Sequence, residues 1–281
     1  MECQIRGVKV YYDQEGEGRP LLMLHGWGLD HRHMRSEMEP VFQGRRGWRR
    51  IYIDLPGCGG TPSAQWIRAQ DQILDLVLAF IQQVVNGERF AVAGVSAGAL
   101  LARGVAYHLA PQMDGLLLVV PVVVAEDARR ERPAAVTLVR SDTLLAELET
   151  DEVEMLHGAV VQSRNYVEAM RRDYVPALKT ADQGFLQPIR QDALRYGFGF
   201  DVDVLKYPFP APTLILLGRQ DAAVGYRDQW RLIENYPRGT MAILDRAGHG
   251  LAVEQQALFR ALVGEWLDRV DEYAAAQGRR G

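Results

Sequence analysis

The chain has 281 residues, 48% hydrophobic and 24% charged, an ordinary globular balance that excludes a disordered, collagen-like or coiled-coil protein. Its 32 basic and 36 acidic side chains leave a net charge of −4, so no basic excess is present to hold a nucleic-acid backbone. Two cysteines, Cys3 and Cys58, cannot build a disulfide framework or a four-ligand zinc site.

From the N-terminus, Met1–Arg6 lacks the basic start and apolar run of a signal peptide, and the expectation is a soluble, cytoplasmic protein. Short apolar and β-branched runs predict strands at Val8–Gln14, Leu21–Leu24, Arg50–Ile53, Phe90–Val95, Leu116–Val120, Thr213–Leu217 and Met241–Leu244. Helical spacing predicts helices over Asp71–Val85, Ala97–Leu109, Arg227–Glu234 and Leu251–Val270. This alternation is the rhythm of a mostly parallel α/β sheet. The most apolar stretch, Gly115–Ala125, is interrupted by Pro121 and is too short to span a bilayer. From Glu126 to Tyr207 no strand is predicted and the pattern is helical, as an insertion into the sheet domain. The strand rhythm resumes after Pro208–Pro212, and the tail Ala274–Gly281 is expected to fray.

The chemistry-bearing motif is Gly94-Val-Ser96-Ala-Gly98, which follows an apolar run and opens a helix. That context suits a nucleophile on a sharp strand-to-helix turn, where side chains at the flanking glycines would collide with neighbours. The alternative is an ordinary turn with a capping serine. A serine needs a base. Of the six histidines, His249 in Ala247-Gly-His249-Gly-Leu251 lies late in the chain, just past a strand. Asp221, after Thr213–Leu217 and a glycine turn, is the candidate to orient it, although an Asp there could equally cap a helix. The order Ser96, Asp221, His249 is the one such an arrangement requires. His31 and His33 are placed in a polar loop before a helix, where they could line a pocket mouth, and His108 and His157 fall in helical patterns.

An acyl-transfer site also needs backbone donors for the oxyanion. The candidates are the amides of Trp27, in His25-Gly-Trp-Gly28, and of Ala97. Trp27, His25, Tyr196 and Phe198 are the expected substrate-binding residues, with Met155, Tyr166, Met170 and Tyr174 as further apolar candidates. Arg129, Arg130 and Arg132 could meet an anionic substrate or carrier protein, although such a run is more often a solvated face. No metal-ligand spacing is present and neither metal nor cofactor is expected.

In these features the sequence resembles the α/β-hydrolase family over nearly its whole length. His25-Gly-Trp-Gly28, Asp54-Leu-Pro-Gly57-Cys-Gly59-Gly-Thr61, the Ser96 turn, Asp221 and His249 match the family's landmarks in order. The resemblance implies an eight-stranded, mostly parallel sheet with helices on both faces, a core of residues 1–125 and 208–281, and residues 126–207 as a helical cap. It also implies a structural role for Asp54. The stretch His25-Gly-Trp-Gly-Leu-Asp30 is similar to carboxylesterases that cleave pimeloyl-type methyl esters. Ser96 stands where the family's epoxide hydrolases and dehalogenases use Asp and its dienelactone hydrolases Cys. The implied function is hydrolysis of a small or medium, largely apolar ester, thioester or lactone. A cofactor-free lyase or oxygenase and a ligand receptor on the same scaffold are the alternatives, with a peptidase further behind. The expected partner is a small-molecule ester, and the chain is read as a monomer or homodimer.

Overall fold

The computed structural model describes residues 1–205 and 209–278. Its strands are β1 (Glu2–Ile5), β2 (Val8–Glu15), β3 (Arg19–Leu24), β4 (Trp48–Ile53), β5 (Phe90–Val95), β6 (Met113–Val119), β7 (Thr213–Gly218) and β8 (Gly239–Leu244). They form one eight-stranded sheet in the order β1-β2-β4-β3-β5-β6-β7-β8. The pairs β1/β2 and β2/β4 are antiparallel, and all the others are parallel. Every residue of β5, β6 and β7 is buried, as strands covered on both faces must be.

The expected strands are all present, most of them longer by one to three residues. β1 was not predicted. It is a short polar strand joined to β2 through Arg6 and Gly7, both at positive φ (48° and 83°), the pattern of a tight hairpin turn. The helix α1 (His31–Met38) begins earlier than expected: it takes in His31 and His33, which the sequence places in the loop before it. Asp30 caps it by accepting from the Arg32 amide, and it buries His33, Met34, Glu37 and Met38 as one stripe.

Helix α2 (Gln70–Phe80) continues as a π-turn to Val85, and Asn86 ends it in the left-handed region (φ 53°). Helix α3 (Ala97–Leu109) follows β5 directly. Between β6 and β7 the described residues contain no named strand, only short helices: α4 (Asp142–Leu145), α5 (Thr150–Leu156), α6 (Arg164–Ala169), α7 (Val175–Thr180), α8 (Gln183–Arg190) and α9 (Ala193–Tyr196). Part of this excursion packs a small core of Leu144, Leu156, Ala159, Tyr166 and Val167 against Val253 of the C-terminal segment. The expected boundary at residues 207 and 208 lies outside the described residues.

The expected α-helix Arg227–Glu234 is corrected to a 3₁₀ helix over Asp228–Asn235. The long C-terminal helix is broken at Gln255 into α10 (Leu251–Glu254) and α11 (Gln256–Gly278). So Ala274–Gly278, expected to fray, is helical, while residues 279–281 lie outside the described residues. Helix α11 seats Trp266 and Val270 against β6 at Gly115, where a Cβ would lie 2.5 Å from Val270. The Trp266 indole donates to the Pro212 carbonyl at 3.0 Å. Among the described residues, no helix is long and apolar enough to cross a membrane.

Candidate active site

The loops leaving the C-terminal ends of β3, β5, β6, β7 and β8 meet at one edge of the sheet, where such folds place their ligands. Ser96 sits on the turn between β5 and α3 at φ 57°, ψ −116°, a left-handed position that a non-glycine residue occupies only under constraint. The constraint is local packing. A Cβ on Gly94 would lie 2.3 Å from the Gly98 carbonyl oxygen, and one on Gly98 would lie 2.2 Å from that of Leu24. The turn is held further by Ser96 N–H donating to Val119 O at 2.9 Å and by Val122 N–H donating to Ser96 O at 3.2 Å. Val120, between those anchors, is itself at φ 40°.

His249 reaches Ser96 because β8 lies beside β7. The loop after β8 crosses the end of β7 at Gly218, where a Cβ would lie 2.4 Å from Gly248 O. Glu254 fixes this loop, accepting from the Gly248 amide and from the Val160 amide of the helical excursion, both at 2.6 Å.

The imidazole then bridges two partners, Nε2 to Ser96 Oγ at 3.0 Å and Nδ1 to Asp221 Oδ2 at 2.9 Å. Asp221 has no exposed surface, and its Oδ1 accepts from the amides of Ala223 and Val224 at 2.8 and 2.9 Å. An ionised carboxylate only accepts, so Nδ1 carries a proton and Nε2 is free to accept from the Ser96 hydroxyl.

Burial alone would push the Asp221 carboxyl up. His249 and the two amides outweigh it and hold the group below its ordinary value. Burial likewise works against the His249 imidazolium, but Asp221 prevails and raises its pKa, with Arg130 pulling in the opposite direction.

Ser96 and His249 line a cavity of about 430 Å³ together with Gly26, Trp27, Leu29, His33, Tyr174, Leu178, Tyr196 and a charged group, Asp127, Arg130, Arg132 and Arg190. Tyr196 stands edge-on to Trp27, with ring centroids 5.1 Å apart. Among the described residues, the backbone amides of Trp27 and Ala97 donate to no protein acceptor.

Two expected pocket residues lie elsewhere. His25 is buried outside this cavity. Its Nδ1 donates to Gly26 O at 2.8 Å and its Nε2 accepts from the Leu55 amide at 2.9 Å, so the ring ties the β3 and β4 loops together. Phe198 stacks on Phe200 at 5.0 Å and packs over Gly104 of α3. Tyr166 and Met170 pack in the small cluster with Val253, where Tyr166 also lies against Gly250, and neither they nor Met155 line the cavity.

Asp54 is fully buried and accepts from the His31 amide and ring and from the Gly60 amide, which shapes the turn after β4. The fold also brings Asp54 to the adjacent pair Asp30 and His31, three ligand-type side chains within reach of one another. Their polar atoms are already committed to Arg32, to one another and to that turn. Asp127 and Arg190 were not foreseen as cavity residues, because nothing local in the sequence marks them.

The sequence profile described as the alpha/beta hydrolase family matches residues 21–262. The chain is an alpha/beta hydrolase. This hydrolase is 24% identical over 265 residues to the AB hydrolase superfamily protein YisY of Bacillus subtilis, covering 92% of this chain and 95% of that one. It is 23% identical over 277 residues to the pimeloyl-[acyl-carrier protein] methyl ester esterase of Legionella pneumophila (strain Paris), covering 92% and 100%. Among solved structures, an alpha/beta superfamily hydrolase from Oenococcus oeni PSU-1 superposes with a TM-score of 0.83 at 27% identity, covering 96% of this chain and 99% of that one.

Proposed function

We propose that this hydrolase cleaves a carboxylic ester, thioester or lactone with a small or medium acyl part through an acyl-enzyme on Ser96. The observation that carries the reading is the continuous hydrogen-bonded line Ser96 Oγ, His249 Nε2, His249 Nδ1, Asp221 Oδ2 opening into a cavity. Ser96 attacks the carbonyl carbon as its proton passes to His249 Nε2. The oxyanion is received by the amides of Trp27 and Ala97, preset at the loop after β3 and the start of α3. Collapse expels the alkoxide, thiolate or lactone oxygen, which takes the proton from Nε2. Water then attacks the acyl carbon, gives its proton to Nε2, and Ser96 leaves with a proton restored.

Asp221 orients the ring and stabilises the imidazolium without itself being protonated. In this reading residues 126–207 act as a cap, contributing Tyr174, Leu178, Arg190 and Tyr196 to the wall around the acyl group. The relative named as a methyl ester esterase supports ester chemistry. Among the described residues, no lysine lines the cavity, which weighs against a lyase that needs one there; Lys206 lies outside the described residues.

The test is hydrolysis of p-nitrophenyl esters from acetate to decanoate by the wild type and by Ser96→Ala. The reading expects turnover with a chain-length optimum that the variant lacks. Equal turnover in both proteins would assign the nucleophile elsewhere.

A further inference from the structure

The cavity wall is not uniformly apolar. Three guanidinium groups share a single carboxylate there. Asp127 Oδ1 accepts from Arg130 at 3.0 Å and Arg190 at 3.2 Å, and Oδ2 lies 3.1 Å from Arg132. Asp127 is the only acid among the described residues lining the cavity, so two positive charges are left in excess on a concave surface. The three arginines are not equivalent. Arg130 is buried, and it spends its fork on Asp127 and the carbonyls of Val124, Ala125 and Ala223, which fixes the wall. Arg132 and Arg190 are about one-third exposed, and each has a single polar partner, Asp127, among the described residues.

Arg190 lies over the Tyr196 ring at 4.5 Å, and Tyr196 in turn meets Trp27, so one aromatic ring separates this guanidinium from the loop beside Ser96. Like charges gathered on a partly desolvated wall repel one another, and burial together with Arg190 already depresses the Arg130 pKa. An anion seated between Arg132 and Arg190 relieves that repulsion, and a planar fork matches a carboxylate in two parallel hydrogen bonds.

We propose that the substrate carries a carboxylate on the end remote from the scissile bond, received by Arg132 and Arg190, so that the preferred class is the monoester of a small dicarboxylic acid. This rests on the serine-hydrolase reading and adds to it the charge of the substrate. The scissile end meets the apolar wall of Trp27 and Tyr196, and the acid end meets the guanidinium groups.

The experiment compares monomethyl glutarate and monomethyl adipate with methyl valerate in wild type, in Arg132→Gln/Arg190→Gln and in Arg190→Lys. The wild type is expected to favour the acids in kcat/KM by about 10–100-fold, the worth of a hydrogen bond to a charged group. That ratio falls towards one in the double variant through KM, is partly kept by Arg190→Lys, and shrinks as salt is added. A wild-type ratio at or below one, or a ratio unchanged in the double variant, overturns the proposal.

If the double variant does not fold, competitive inhibition of the wild type decides. Glutarate is expected to inhibit methyl valerate hydrolysis where glutaramide does not. Equal inhibition by the two, or inhibition by inorganic phosphate as strong as by glutarate, overturns the carboxylate assignment. Cleavage of neutral esters that Ser96→Ala loses, without preference for acids, removes this inference and leaves the hydrolase reading. No cleavage of any ester by the wild type removes both.

Discussion

Replacing Asp221 by Asn tests the proposed role of the acid with almost no change of shape. Oδ1 of Asp221 is already committed to two backbone amides, from Ala223 and Val224, while Oδ2 faces His249 Nδ1. An Asn side chain must therefore keep its carbonyl on the two amides and turn its NH₂ towards the ring. Nδ1 is then forced to accept, the proton moves to Nε2, and Nε2 presents a hydrogen to Ser96 instead of a lone pair.

The expected loss is about 10⁴-fold in kcat, the cost of the wrong tautomer in such sites, or about 5 kcal/mol of barrier. Stability should move far less, because the two amide bonds survive and a buried charge is removed. The assay is kcat on p-nitrophenyl butyrate, paired with the rate at which a fluorophosphonate labels Ser96 and with a thermal melt. A variant within tenfold of wild type in both rates would show that Asp221 does not set the state of His249, and the reasoning would be wrong.

The raised pKa of His249 predicts an acid limb of kcat/KM above the ordinary imidazole value of ~6.5, with activity falling as pH drops through it; a limb below 6.5 counts against the Asp221–His249 pairing. Gly98→Ala drives a Cβ to 2.2 Å from Leu24 O in a turn with no slack, so a fall in Tm and loss of Ser96 labelling are expected together. A variant that melts and labels like the wild type would refute the packing argument. Glu254→Ala leaves the buried amides of Gly248 and Val160 without acceptors, at roughly 1–3 kcal/mol each, which denaturant unfolding will read as a shifted midpoint. An unshifted midpoint would mean that the two amides find other acceptors.

What the sequence disclosed was local or ordered along the chain. Gly94, Ser96 and Gly98 are legible because the steric demand of the turn falls on neighbouring positions, and the β5, β6 and β7 runs are legible because burial on both faces leaves them almost wholly apolar. The start of helix α1 was obscured because half its face is charged and its buried stripe includes His33 and Glu37, which do not read as apolar, although Asp30 is a good cap. The side-chain directions of His25 and Phe198 were beyond reach. The first depends on the Leu55 amide from another loop, the second on Gly104 of α3 and Phe200. The arginine wall was legible only in part: Arg130 and Arg132 stood as candidates to meet an anion, whereas Arg190 joins them only after the excursion folds back.

The excursion is sewn to the sheet domain at well-separated points. Val160 shares the Glu254 carboxylate with Gly248, Tyr174 donates to Glu37 at 3.0 Å, and the Asp182 amide donates to Gly57 O at 2.8 Å. Lifting it as one rigid lid would break all three attachments and pull on the loop that carries His249. Leu178 and Arg190, which line the cavity from the excursion, are therefore held in place by the same attachments. A substitution that displaces the Val160 amide thus acts, through Glu254 and Gly248, on the loop that holds the neighbouring His249.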